Sequence, residues 1–133
     1  MNLHKLNIRL SIYDFDLQEI KKIIDAQPSS CIKKGEIPIG GSIPSKYDIY
    51  EFKDSFFSNN KNYIDNFIFE FIERFFNYKK ELSFISTKSD IELSIELIIN
   101  DESDDPMPQI FFNKRIICFL KDIGAEIDID IIR

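Results

Sequence analysis

Five carboxylates, Glu92, Glu96, Glu126, Asp128 and Asp130, stand at alternate positions in two stretches, "IELSIELII" and "AEIDIDII", with isoleucine and leucine between them. Side chains on a strand point to opposite faces with period two, so each stretch reads as a strand with one apolar and one anionic face. Paired carboxylates are the usual equipment of general acid–base chemistry. On an open strand face, however, they lack the burial that separates the pKa of an acid from that of a base. An anionic platform that docks a basic protein suits them better. The plainer alternative is a solvated face that serves solubility. Like charges facing one another across strands are destabilising. Lys5 and Arg9 in the opening strand are therefore expected to pair beside the last strand, or to lie between the two acidic ones.

The remaining chemistry-bearing residues are few. Residues 28–46 hold three of the four glycines and three of the five prolines, which argues for a long ordered loop. Lys33, Lys34 and Gly35, with Tyr47 and Tyr50 just beyond, form a candidate ligand-contacting set, the loop acting as a lid over one end of a sheet. The run "KKGEIPIGGS" lacks the order of a phosphate-cradling loop. In "DESDD", Asp101 to Asp105, a calcium loop fails because Pro106 stands where glycine is needed and Phe112 where a bidentate glutamate is needed. His4 and Cys31 would have to meet to form a nucleophile–base pair, and Cys118 falls in a helical stretch as a small hydrophobe. No catalytic residue, metal site or cofactor is expected from this inventory.

The elements that must position these residues follow from periodicity. Leu6, Ile8, Leu10 and Ile12 alternate with polar residues as a first strand. Asp16 and Glu19 have capping-box spacing before a short helix over Leu17 to Ala26. A short strand is expected near Cys31 to Lys33 and another at "YDIYEF", Tyr47 to Phe52. Ile64, Phe67, Ile68, Phe71, Ile72 and Phe75 give an uninterrupted helical stripe, continued after a bend over Tyr78 to Ile85. After the acidic strand at Ile91, "QIFF" at Gln109 to Phe112 suggests a short strand. Asn113 suggests a helix N-cap, and Gly124 the stop of that helix. Strands with one polar and one apolar face predict an α+β two-layer sandwich, a mainly antiparallel sheet with helices packed on one face. Phe56, Phe57, Phe69 and Phe76 are expected to be secondary core, or an interface if exposed together.

Bulk properties bound the function. The 133 residues fit a single domain, 1–133. A net charge of −6 argues against nucleic-acid binding, which draws its affinity from lysine and arginine. No apolar run is long enough to cross a bilayer, and the first residues do not resemble a signal peptide, so a cytoplasmic, membrane-free protein is expected. Two well-separated cysteines fit reduced thiols.

The stretches "LNIRLSIYDFDLQEIKKII", "KKG" at Lys33 to Gly35, "YKKEL" at Tyr78 to Leu82 and, most specifically, "IGAEIDIDII" stand in a layout that resembles the bacterial family called domain of unknown function 4279. The resemblance implies the fold and a bacterial origin, and it transfers no catalytic residue and no cofactor.

The expected function is a non-enzymatic protein-binding module, a monomer or homodimer whose acidic surface engages a basic protein. An immunity protein covering a toxin domain such as a nuclease is the concrete form of that expectation. The alternatives are a small-ligand-binding or enzymatic domain using the 28–46 loop as a lid, and a structural homodimer built through an exposed strand edge.

Overall fold

The computed structural model describes residues 4–23, 30–58, 62–100 and 110–133. Among these residues five strands form one sheet: β1 (His4–Tyr13), β2 (Ser30–Ile32), β3 (Ile49–Ser58), β4 (Ile91–Ile98) and β5 (Ala125–Ile132). Their spatial order is β2-β3-β1-β4-β5, antiparallel throughout except for the parallel pair β4–β5. Among the described residues four helices complete the fold: α1 (Leu17–Ile23), α2 (Asn62–Glu73), α3 (Lys79–Ser86) and α4 (Lys114–Asp122), with a 3-10 turn at Phe76–Tyr78 between α2 and α3. The sequence therefore folds as the expected α+β sandwich.

The core follows from the period-two pattern. Leu6, Ile8, Leu10 and Ile12 of β1 and Ile91, Leu93, Ile95 and Leu97 of β4 are buried in one cluster. Ile64, Ile68, Phe71 and Ile72 of α2, Leu82 and Ile85 of α3, and Ile116, Phe119 and Leu120 of α4 join it. Burying a large apolar side chain stabilises by about 1.5–3 kcal/mol, so the two strands and the α2 stripe dominate the hydrophobic contribution. Helix starts are fixed locally. The Asp16 side chain accepts from the Gln18 N–H (2.7 Å), and the Asn113 side chain accepts from the Ile116 N–H (2.9 Å). A side-chain cap of this kind ordinarily contributes about 1 kcal/mol.

The structure departs from sequence expectation in four places. β1 does not separate the acidic strands, because β4 lies between β1 and β5 and the two acidic strands are neighbours. Parallel neighbours need a crossover connection, and α4 lies in the one that joins β4 to β5. The strand foreseen at "YDIYEF" begins at Ile49 and runs on to Ser58, matching the full length of β1. No strand forms over 110–112; Gln109, like the acidic loop at 101–105 and the foreseen end of α1, lies outside the described residues. Finally, β5 is an edge strand whose isoleucines are not sealed beneath helices: Ile127, Ile129 and Ile131 are 45%, 43% and 51% exposed.

Candidate functional site

The face of the sheet opposite the core carries a ladder of polar residues set by the register. One row across the strands reads Ser30, Glu51, Ser11, Glu92 and Glu126. The next reads Lys53, Arg9, Ser94 and Asp128, and the one after it Ser55, Asn7, Glu96 and Asp130. Three pairings therefore place an acid of β5 beside β4: Glu92 with Glu126, Ser94 with Asp128, and Glu96 with Asp130. All five carboxylates foreseen in the sequence are brought to one side of one half of the sheet.

The cations of this face are engaged elsewhere. Glu51 is buried and takes Arg9 and Lys53 at 3.4 Å each, with a hydrogen bond from the Ser30 hydroxyl at 3.1 Å. Asn7 bridges the middle, donating to Glu96 (2.9 Å) and accepting from Ser55 (2.8 Å). Among the described residues, Glu92, Glu96, Glu126, Asp128 and Asp130 take part in no ion pair. Arg9 and Asp128 stand two strands apart, roughly 10 Å between backbones, which is about one Debye length at physiological salt. β5 thus keeps most of its negative field, and the sheet face grades from mixed charge at β3–β1 to net negative at β4–β5. A concavity of about 300 Å³ lies across this boundary, with Arg9 and Lys53 on one flank and Asp128 and Asp130 on the other.

Tyr13 closes one end of the ladder, its hydroxyl donating to Glu92 at 3.4 Å; the Ser94 hydroxyl donates to the same oxygen at 2.8 Å. Burial, and then the Glu92 charge, raise the Tyr13 pKa above the ordinary 10.0. The folded protein therefore holds the phenolic proton more tightly than the unfolded chain. Its contribution to stability is complete below the unfolded value and is lost as pH rises through the folded one. Tyr13→Phe is expected to remove this alkaline loss. Urea midpoints compared at neutral and alkaline pH should fall more for the wild type than for the variant.

The second candidate set does not come together. Lys33, Lys34 and Gly35 are exposed in a turn that closes on itself, the Gly35 N–H donating to Ser45 O (2.9 Å) and the Lys34 N–H to the Asp48 carboxylate (2.8 Å). Tyr47 is exposed at the rim of a second concavity, of about 620 Å³, beside Tyr13, Lys88, Asp90 and Glu126. Tyr50 is instead a core residue, 4% exposed, because its register partner Ile12 faces the helices and Tyr50 must face the same way. Neither concavity is lined by Lys33, Lys34, Gly35 or Tyr50.

The remaining nucleophile and metal candidates are separated by the sheet. Cys31 aligns through Tyr50 with Ile12, whereas His4 begins β1, eight residues away along that strand, roughly 27 Å. His4 is buried, and its Nδ1 accepts from the Asn100 N–H at 3.0 Å, so it fastens the segment after β4. Burial raises the Cys31 pKa, which disfavours the nucleophilic thiolate. Cys118, expected to pack as a small hydrophobe, is exposed on α4. Among the described residues, no group of three or more His, Cys, Asp or Glu side chains is placed to hold a metal ion, and no helix is long and apolar enough to cross a membrane. Of the four phenylalanines considered as an interface, Phe56 stacks on Phe67, and Phe69 and Phe76 meet edge to face. Phe57 alone is strongly exposed, beneath the Lys5 ammonium.

The family model for the Domain of unknown function (DUF4279) matches residues 2–132. The chain belongs to that family. No curated protein and no solved structure matches it. In this DUF4279 chain the feature that bears on function is the sheet face itself. Sequence reasoning named the five carboxylates but missed Glu51, the buried hub that withdraws Arg9 and Lys53 from them. Only half of the signal was local: Glu51 sits at alternate spacing with Lys53, but that their strand runs beside Arg9 emerges from the register alone.

Proposed function

We propose that this protein is a non-enzymatic binding module of the bacterial cytoplasm whose acidic half-sheet docks a basic protein surface, with an immunity protein against a toxin domain as its concrete form. The observation that carries the reading is the alignment of Glu92 with Glu126 and Glu96 with Asp130 on adjacent strands, without a described cation among them. Like charges so placed reduce stability by about 0.2–1 kcal/mol per pair, a cost that a basic partner would turn into affinity. Small size, net charge of −6 and the separation of His4 from Cys31 agree with a binding role over a catalytic one.

The double variant Glu96→Lys/Asp128→Lys tests it. Co-expressed with a toxin encoded beside its gene, the wild-type chain should protect the cell and the variant should not. With the purified pair, the dissociation constant should rise at least about tenfold, equivalent to about 1.4 kcal/mol, and wild-type affinity should weaken as salt is raised. Equal binding by wild type and variant would remove the acidic face from the account.

A further inference from the structure

β5 ends the sheet order, and its outer edge is unpaired among the described residues. Which backbone groups it presents is fixed by one hydrogen bond. The Ile99 N–H donates to Ile132 O at 2.7 Å, so the Ile132 carbonyl points toward β4. Successive residues of a strand turn their N–H and C=O to opposite sides, so those of Ile127, Ile129 and Ile131 point outward. The same three residues expose their side chains on the helix side of the sheet, while Glu126, Asp128 and Asp130 line the other side. The edge therefore offers backbone donors and acceptors, an apolar row and an acidic row together. It has none of the lysine, proline or bulge that commonly protects a strand edge.

A second copy of this chain fits this edge poorly. Antiparallel pairing about a twofold axis must oppose outward-pointing residues to outward-pointing residues, Ile to Ile. The register centred on Asp128 sets Asp128 against Asp128 and Glu126 against Asp130, and a shift of one step either way still opposes acid to acid, beside the acids of β4. A strand that alternates basic and apolar residues fits both rows: its cations fall next to Glu126, Asp128 and Asp130, and its apolar side chains next to the isoleucines.

We propose that β5 accepts an extended segment of a protein partner as an added strand, with alternate basic and apolar side chains. This rests on the acidic-face reading above and names the mode of docking. The probe is a short synthetic peptide of alternating lysine and valine, compared with the same peptide N-methylated at the backbone amides that would face β5. The variant is Ile129→Pro, which removes an N–H that β4 does not use and so should leave the sheet intact by circular dichroism.

The expected result is binding of the unmodified peptide, slowed hydrogen exchange at the amides of Ile127, Ile129 and Ile131, and at least about tenfold weaker binding on N-methylation and on Ile129→Pro. Equal binding of both peptides without exchange protection would overturn edge docking and leave the acidic face standing. Failure of both peptides to bind at physiological salt would overturn the two together. Concentration-dependent dimerisation that Ile129→Pro abolishes would overturn the choice of occupant.

Discussion

Phe71→Ala is expected to cost about 3–5 kcal/mol of folding stability, the largest loss of any single change considered. Phe71 is 1% exposed and sits on the α2 stripe between Ile68 and Ile72. Its ring lies 5.5 Å from that of Phe75, which meets Phe52 of β3 edge to face at 5.3 Å, and the Arg74 guanidinium lies over it at 5.3 Å. Truncation therefore opens a cavity where helix, turn and sheet converge, and none of those elements can close it without losing its own contacts. Because domains of this size are stable by only about 5–15 kcal/mol, urea denaturation should show a much lower midpoint with an unchanged slope. Phe71→Leu, which retains most of the volume, should lose clearly less. A loss of under about 1 kcal/mol for Phe71→Ala would show that α2 is not packed as described.

Gly124→Val should be the next most damaging change, by roughly 2–5 kcal/mol from backbone strain and overpacking together. Gly124 follows α4 and turns the chain into β5 with φ of +64°, a region that β-branched residues avoid. Its N–H donates to Lys121 O at 3.0 Å, and a Cβ added there would meet Ser86 Oγ at 2.9 Å and Ser86 Cβ at 3.2 Å, so α3 blocks the space as well. Gly35 supplies the control. It has φ of +92° but nothing within 4 Å of an added Cβ, so Gly35→Val should show the backbone strain alone. Thermal melts of the two variants separate strain from collision; equal losses would mean that the contact with Ser86 is cheaply relieved.

Most of the layered fold was legible because its signals are local. The alternation at Leu6 to Ile12 and Ile91 to Leu97, the stripe from Ile64 to Phe75, the cap at Asn113 and the stop at Gly124 each follow from the geometry of one element. Strand order was not, since it depends on which crossover the chain takes. The helix between the two acidic strands allowed them to be parallel neighbours, yet the cost of placing Glu92 beside Glu126 argued for a cation between them. The crossover prevailed because a strand-pair charge penalty below about 1 kcal/mol is small against burying Ile116, Phe119 and Leu120 of α4 on the sheet. Alternation in "EIDIDII" likewise reveals two faces but not whether a helix reaches the outermost strand, so the exposure of Ile127, Ile129 and Ile131 could be read only from the assembled structure. Tyr50 was expected to line a pocket under the 28–46 loop because its strand follows that loop directly, whereas the register with Ile12 turns it inward.

The position of β1 at the middle of the sheet has a kinetic consequence. Both of its edges are filled by partners distant in sequence, and the Asn7 to Glu96 contact alone spans 89 residues. Closing a loop costs free energy that grows with the logarithm of its length, and topologies dominated by such distant pairings typically fold in milliseconds to seconds, far more slowly than helical bundles. β1, made before either partner, must therefore wait, with Leu6, Ile8 and Leu10 uncovered, until β3 and β4 have been synthesised and can arrive on either side.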